Sequence, residues 1–215
     1  MLMMNKTAQL VIQWTEFEEK HPDGSLEDFY RYILASNRER VNNENLFEGE
    51  IPPRQDIVIT KLIDRIARLH MIYMHMAMKG MKIVHFEEFS LLSAIANLKT
   101  PRKTEVIYHT INELTTGLNL LSGMKKRGYI TEHGDPDDKR SKRLALTPKG
   151  RRVLEGCYER FSKIPEMMFM DMHKDDIDLC IQLLRNVNFK FSKLWHQDRG
   201  KPFEQVYKNI TGKVI

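Results

Sequence analysis

The chain of 215 residues has little cysteine and no long apolar run. Its two cysteines, Cys157 and Cys180, lack C-x-x-C spacing and fall in separate predicted helices, so they indicate neither a disulfide framework nor a zinc site. No uncharged apolar stretch approaches the roughly 18 residues that a membrane span needs. The first residues also lack a long apolar signal segment. We therefore expect a cytoplasmic protein with no membrane partner.

Sequence motifs of catalysis are missing as well. The chain contains no G-x-S-x-G, no P-loop, no H-E-x-x-H and no Gly-rich dinucleotide turn. We therefore expect no enzymatic activity, no catalytic residues and no cofactor. His70 and His75 are five positions apart, a poor spacing for sharing one ion on a helix, so the sequence predicts no metal site either.

The most informative segment runs from Asp135 to Gly150 and reads DPDDKRSKRLALTPKG. Its opening DPDD is a turn signal, because Pro fixes φ and Asp side chains bond the nearby backbone. The basic stretch 142–146 then predicts a strand that ends where Thr147 caps a helix and Pro148 occupies its first position. On the near side, the stretch 129–133 behind a helix-ending Gly128 predicts the partner strand. The order is helix, strand, turn, strand, helix.

Two helices are predicted before this hairpin. The shorter one runs from Thr104, a plausible N-cap, to Ile111, with Val106, Ile107 and Ile111 as its buried side. The second runs from Leu114 to Arg127. Its apolar face holds Leu114, Leu118, Leu121 and Met124, whereas Thr115, Thr116, Asn119 and Lys126 lie on other faces. Two helices and a hairpin of this kind make a winged helix-turn-helix.

The rest of the sequence reads as helix. Capping signals and periodicity predict helices over about 7–20, 26–40, 55–79, 86–98 and 174–195, with a capping box at Ser25 and Asp28 and a linker over 42–53. The fold class is therefore mainly α with a small β-wing: a winged helix-turn-helix domain plus a helical dimerisation domain.

The positive charge is concentrated in one part of the chain. The sequence has 34 Lys and Arg against 29 Asp and Glu, a net charge of +5. Between Lys99 and Arg152 there are 13 basic and 6 acidic residues, net +7, which leaves 21 basic and 23 acidic elsewhere, net −2. The alternative interpretation of this cluster is a charged face that contacts only solvent. Concentration on the helices and the hairpin favours a surface for nucleic-acid phosphates.

The motif resembles the signature of the MarR family of bacterial transcription regulators, D-P-x-D-x-R followed by L-x-L-T-x-x-G. The matching positions are Asp135, Pro136, Asp138, Arg140, Leu144, Leu146, Thr147 and Gly150. The resemblance covers about residues 55–196. Together with the helix and linker predictions above, it divides the chain into an N-terminal helical extension and linker over 1–54, a dimerisation helix over 55–84, the winged DNA-binding domain over 85–150, and C-terminal dimerisation helices with a tail over 151–215.

This resemblance also implies a homodimer. The apolar stripe of the predicted helix 174–195 is wider than one small domain easily covers, since Cys180, Leu183, Val187, Phe189 and Leu194 extend it. A partner subunit would cover this stripe and set two recognition helices about one DNA turn apart, roughly 34 Å. The alternative is an intramolecular core that also involves residues 1–40.

For DNA binding we predict that the helix 114–127 enters the major groove, where Thr115, Thr116 and Asn119 reach base edges and Lys126 a phosphate. Arg140 is the predicted minor-groove probe, with Asp138 holding it and with Lys139, Lys142 and Arg143 nearer the backbone. Asn119 stands where the family often has a basic residue, which favours adenine or DNA shape over guanine readout. Gly117 and Gly123 either permit close approach to DNA or soften the helix.

A regulatory ligand is a further expectation from the family. His70, Tyr73 and Met74 lie on the helix that would line a pocket for a small aromatic effector, although a Met stripe at helical spacing is more often core packing. Sensing through thiol oxidation is not favoured, because both cysteines come late in the chain and are expected to be buried. The sequence thus predicts a DNA-binding transcriptional regulator, with a ligand-responsive repressor favoured. The alternative is a winged-helix module for protein–protein interaction, in which apolar residues would replace the cations of helix and wing.

Overall fold

A computed structural model describes residues 5–39, 54–136, 138 and 140–214, with side chains from 5 to 34 in the first range. The chain forms two compact units, Met1–Ile63 and Asp64–Ile215. The predicted linker 42–53 lies outside the described residues. No helix among the described residues is long and apolar enough to cross a membrane.

The first unit contains a helical hairpin made of α1 (Lys6–Lys20) and α2 (Leu26–Glu39), and it includes the first residues of α3 (Gln55–Met78). The predicted capping box is present, because Asp28 Oδ2 accepts from the Ser25 backbone N–H at 3.0 Å and Ser25 Oγ accepts from the Asp28 N–H at 3.2 Å. Phe17 and Phe29 are buried between the two helices, with ring centroids 5.5 Å apart. Aromatic packing therefore holds this hairpin together.

The winged domain has the predicted order. Its elements are α4 (Phe86–Leu98), α5 (Lys103–His109), α6 (Leu114–Lys126), β1 (Ile130–Gly134), β2 (Lys142–Leu146) and α7 (Pro148–Phe161). The two strands are antiparallel and pair Ile130 with Leu146 at one end and Gly134 with Lys142 at the other. An isolated antiparallel β-bridge joins Arg102, just before α5, to Arg143 on β2. The mainly α fold with a small β-wing is confirmed.

The core of this domain lies where α4, α5, α6, β2 and α7 meet. Its fully buried side chains come from all five elements: Leu91, Leu92, Val106, Ile107, Met124, Leu144 and Cys157. Thr147 caps α7 as predicted, accepting from the Gly150 N–H at 2.9 Å, and Pro148 follows at the first helical position. Local capping and core packing therefore agree in this part of the chain.

Three predictions about the two central helices are wrong. Arg102, not Thr104, is the N-cap of α5, because the strand-like bridge to Arg143 keeps residue 102 extended. Ile111 is not buried but 56 % exposed, since it occupies the turn between the helices at φ 55°. Leu118 is 40 % exposed, so the apolar face of α6 is narrower than its periodicity predicted.

Three helices complete the second unit: α8 (Lys163–Phe169), α9 (Lys174–Asp198) and α10 (Phe203–Thr211). The sequence predicted α9 but neither of its short neighbours. No residue of α9 is buried, and its apolar stripe includes Leu183, Val187 and Phe189 at 61, 52 and 65 % exposure.

Candidate nucleic-acid interface

Helix α6, which the sequence predicts to be the recognition helix, presents a polar face to solvent. Thr115, Thr116, Asn119 and Lys126 are all exposed, as a surface that reads base edges requires. Gly117 is buried instead, and a Cβ added there would come within 2.6 Å of the Ile107 side chain. This glycine therefore permits close packing of α6 against α5. The close contact that it allows is with Ile107 of the same chain and not with DNA.

A buried ion pair fixes the end of α6. The helix stops at Arg127, followed by Gly128 at φ 73°, the left-handed conformation predicted for this glycine. Arg127 Nη2 donates to Glu88 Oε1 at 2.7 Å, and the Glu88 side chain is only 3 % exposed. The other oxygen of Glu88 accepts from the Val84 N–H at 3.1 Å. Because the carboxylate of Glu88 favours the charged guanidinium, the pKa of Arg127 is raised.

The start of α7 is held against the same helix end. Lys149 Nζ donates to the carbonyl oxygen of Arg127 at 2.8 Å, and Thr147 Oγ1 donates to that of Gly128 at 2.7 Å. Gly150 lies so close to Tyr129 that an added Cβ would overlap the Tyr129 carbonyl oxygen. Gly150 is thus required by close packing of the wing's base.

A buried carboxylate holds the wing to the helices. The Asp135 side chain is fully buried and contacts two guanidinium groups, Arg102 Nε at 2.6 Å and Arg143 Nε at 3.2 Å. Arg143 Nη1 also donates to the carbonyl oxygen of Thr100 at 3.2 Å. The hydrogen bond to Asp135 raises the pKa of Arg102. Arg143, predicted to lie near DNA phosphates, therefore has its guanidinium beside Asp135. The sequence analysis did not single out Arg102, because only the fold brings residues 102 and 135 together.

At the wing tip, Asp138 forms local hydrogen bonds with the backbone of the turn. Asp138 Oδ1 accepts from the Arg140 backbone N–H at 3.0 Å, and the Asp138 carbonyl oxygen accepts from the Ser141 N–H at 2.9 Å. Asp138 therefore shapes the turn around Arg140 through the backbone. Arg140 and Lys142 are exposed. Lys139, the remaining predicted wing residue, lies outside the described residues.

A second carboxylate neutralises cations between the wing and the helices. Glu132 on β1 pairs with Lys103 of α5 and with Lys125 of α6, both at 2.7 Å. Hydrogen bonds from Lys103 and Lys125 lower the pKa of Glu132. No local pattern predicted this contact, since the three residues meet only once the strand and the helices pack together.

The described cations from Arg102 to Arg143 thus fall into two groups. The first group pairs with carboxylates inside the fold: Arg102, Lys103, Lys125, Arg127 and Arg143. The second group is Lys126, Arg140 and Lys142, which are exposed and have no ion-pair partner among the described residues. We call this second group the open cations. Their charge is available to an external polyanion.

A cavity of about 890 Å³ opens between α3, α7 and α8. Tyr73 lines it, as predicted for an effector pocket, together with Met76, Met81 and Ile164. Neither His70 nor Met74 is among the lining residues: Met74 is 2 % exposed in the core, and His70 stacks edge-on against Phe86 at 6.3 Å. The cavity wall is rich in positive charge, with Lys82, Lys149, Arg152, Arg160 and Lys163 against a single carboxylate, Glu159.

The two cysteines differ in environment. Cys157 is fully buried, and desolvation raises the pKa of its thiol to about 11, so it stays protonated at neutral pH. Cys180 is exposed on α9, contrary to the prediction that both are buried, because the apolar stripe of α9 has no cover in the described part of the chain. Among the described residues no group of three or more His, Cys, Asp or Glu could hold a metal ion.

Comparisons with known proteins agree with this geometry. A family described as "Winged helix DNA-binding domain" matches residues 88–150. The transcriptional regulator HosA of Escherichia coli O111:H- is 23 % identical over 100 residues, which cover 46 % of this chain and 74 % of HosA.

Solved structures of regulators share the fold. A mutant of MarR from E. coli complexed with operator DNA matches with a TM-score of 0.57 and 18 % identity, over 62 % of this chain and 95 % of that one. The Bordetella bronchiseptica protein BpsR, whose DNA binding is regulated by 6-hydroxynicotinic acid, matches with a TM-score of 0.55 and 20 % identity, over 60 % of this chain and 98 % of that one. The resemblance inferred from the Asp135–Gly150 motif is confirmed, and the chain carries a winged helix-turn-helix of the MarR type.

Proposed function

We propose that this protein is a sequence-specific, double-stranded DNA-binding transcriptional regulator that acts as a homodimer, and that it is a ligand-responsive repressor. The observation that carries the proposal is the exposed polar face of α6 accompanied by the open cations. Five other cations of the same region share three carboxylates, those of Asp135, Glu132 and Glu88. The open cations lie on the recognition helix and the wing, where DNA would be contacted.

In this proposal α6 enters the major groove. Thr115, Thr116 and Asn119 contact base edges, and Lys126 at the end of the helix contacts a phosphate. An Asn side chain can bond the N6 and N7 atoms of adenine, so Asn119 favours A·T steps. Arg140, on a turn shaped by Asp138, enters the minor groove, and Lys142 contacts the adjacent backbone.

Dimerisation is supported by the exposed stripe of α9. Apolar side chains are exposed along its length: Ile181, Leu183, Leu184, Val187, Phe189 and Phe191. A contiguous apolar patch of this kind marks an interaction surface. A second copy of the chain is the partner that fits, because a symmetric pair doubles the DNA contacts and sets the recognition helices about 34 Å apart.

The effector is proposed to bind in the cavity beside Tyr73. Its apolar lining suits an aromatic ring, and its excess of Lys and Arg suits a carboxylate or phenolate. Lys149 belongs both to the cavity wall and to the contact with the end of α6, so a ligand there reaches the recognition helix within one side chain. The sensitivity of BpsR to an aromatic acid is in keeping with this ligand class.

A mobility-shift assay on the promoter region of the protein's own gene, at two salt concentrations, tests the DNA-binding proposal. We expect binding that weakens as salt rises, because the entropy gained by releasing counterions from DNA falls as the salt concentration of the solution increases. No binding at either concentration would favour the rival proposal of a protein-binding winged helix. Asn119→Ala should alter the preferred sequence, whereas Arg140→Ala should weaken all sites and flatten the salt dependence.

The effector is tested by adding benzoate and, as an uncharged control, benzyl alcohol to the same assay. We expect benzoate to release DNA at lower concentration than benzyl alcohol, because only benzoate can pair with the cavity's cations. The variant Arg152→Gln should reduce that difference. Equal effects of the two compounds, or none, would contradict an anion-selective site.

A further inference from the structure

The end of α9 is attached to the helix-turn-helix through one arginine. Arg199, directly after α9, has its guanidinium 4.6 Å from the centroid of the Tyr108 ring and 5.4 Å from that of Trp195. The two rings lie edge to face at 6.2 Å, and His196 lies 5.9 Å from Tyr108. Arg199 Nη2 also lies 3.7 Å from Glu113 Oε2, and the Arg199 side chain is 29 % exposed. We call Arg199, Tyr108, Trp195 and Glu113 the arginine clamp.

The members of the clamp belong to three elements with different roles. Trp195 is on α9, the proposed dimerisation helix, and Tyr108 is on α5. Glu113 is the N-cap residue of the recognition helix α6. The clamp therefore joins the helix that would contact the partner subunit to the N-cap of the helix that would contact DNA. The rest of α9 contributes no buried residue.

The clamp depends more on cation–π contacts than on the ion pair. The guanidinium of Arg199 lies close enough to both rings to gain cation–π attraction from each. The ion pair with Glu113 is long at 3.7 Å, and the Glu113 side chain is 72 % exposed, so solvent screens it. Because Arg199 contacts two rings from different helices and a carboxylate near a third, the clamp restricts how the end of α9 can move relative to α5 and α6.

We propose that the arginine clamp sets the position of the recognition helix relative to the dimerisation helix, and thereby fixes the half-site spacing that the dimer accepts. The inference rests on the proposed function, since it presumes a DNA-binding dimer. Arg199, Tyr108 and Trp195 are positioning residues that act through α6.

Geometry explains why a small contact has a large effect on spacing. The 25 residues of α9 form a helix about 37 Å long at about 1.5 Å per residue. A tilt of about 10° at one end of such a lever moves the other end by about 6 Å, nearly two base-pair steps of about 3.4 Å. A dimer without the clamp would therefore tolerate half-sites displaced by one or two base pairs, whereas the clamped dimer would not.

The test uses the full chain and its variants Arg199→Ala and Lys201→Ala. Lys201 is the matched control, because it also carries a positive charge beside the end of α9 but pairs with Asp198 at 3.0 Å. The probe is a palindromic duplex obtained by selection from a random pool with the wild-type protein, together with versions carrying one or two inserted base pairs between the half-sites. Sedimentation and thermal melting confirm that each variant is folded and dimeric.

For the wild type and Lys201→Ala we expect each insertion to weaken binding by at least about 10-fold, in the range of a wrong base pair. For Arg199→Ala we expect this penalty to fall to about 3-fold or less, with tight binding to the parent duplex lost in part. Removing Trp14 by substitution to Phe leaves Trp195 as the single tryptophan, whose fluorescence should change in Arg199→Ala and not in Lys201→Ala.

Two results would overturn the inference. One is an unchanged spacing penalty in Arg199→Ala. The other is a uniform loss on every duplex with a smaller salt slope, which would make Arg199 a phosphate contact instead. If the wild-type protein selects no duplex at all, the proposed function fails rather than the clamp, so the two failures are distinguishable.

Discussion

Lys125 and Lys126 are neighbours at the end of the recognition helix, and their environments predict different contributions to DNA binding. The ammonium of Lys125 lies 2.7 Å from Glu132, whereas exposed Lys126 has no ion-pair partner among the described residues. Lys126→Ala should therefore remove a phosphate contact, and Lys125→Ala should mainly release Glu132. Alanine is a good helix former, so neither change should unfold α6.

The magnitude follows from the number of open cations. Each neutralised phosphate contributes about 0.9 to the slope of log affinity against log salt, so the three open cations of each protomer give a homodimer a slope of about −5. Lys126→Ala removes one contact from each protomer and should lower the slope by about 1.8. At about 0.1 M salt this corresponds to roughly a 50-fold loss of affinity. For Lys125→Ala we expect less than half of that change, because its charge is already partly neutralised.

Fluorescence anisotropy of a labelled operator duplex, titrated at four or more salt concentrations, measures both slopes. Circular dichroism melts of the two variants control for folding. Equal changes of slope for Lys125→Ala and Lys126→Ala would refute the division of the basic region into paired and open cations. An unchanged slope for Lys126→Ala would remove α6 from the DNA contact.

Three further predictions concern stability and the thiols. Glu88→Gln should lower the free energy of unfolding by about 2–3 kcal/mol in a urea titration, because it leaves a partly buried guanidinium without its carboxylate. A loss below about 0.5 kcal/mol would mean that water replaces the partner. Gly150→Ala should cost about 3 kcal/mol or prevent folding, since a Cβ there overlaps the wing's backbone; a normal melting temperature would contradict the packing. In a Cys180→Ser background, Cys157 should not react with a thiol reagent at neutral pH until the protein is denatured, and rapid labelling of the native protein would disprove its burial.

Local signals predicted the winged domain well. The DPDD turn, the Thr147-Pro148 helix start, Gly128 at positive φ and the bounds of α4 and β2 each depend on residues close together in sequence. Such signals work because capping, turn formation and glycine conformation are decided within a few residues. The short helices α8 and α10 were missed because they span only 7 and 9 residues and so have little periodicity.

The candidate site was predicted less completely, because its charges are sorted by contacts between distant residues. The polar face of α6 and the Asp138 turn follow from spacing alone. That Arg143 faces Asp135, or that Lys125 pairs and Lys126 does not, depends on strand β1 lying beside α5 and α6. Likewise, the sequence left open whether Gly117 permits close approach to DNA or softens the helix, and only the fold shows that it packs against Ile107.

By itself, then, the sequence determined a helical chain with one winged domain, its basic character and the polar side chains of α6, since these depend on local backbone preferences and on composition. Tertiary structure alone decided which of the cations stay exposed without a carboxylate partner. It also decided which residues line the cavity and how α9 contacts the N-cap of α6. The physical reason is that a carboxylate neutralises whichever cation the fold brings within about 3–4 Å of it, and sequence separation carries no information about that distance.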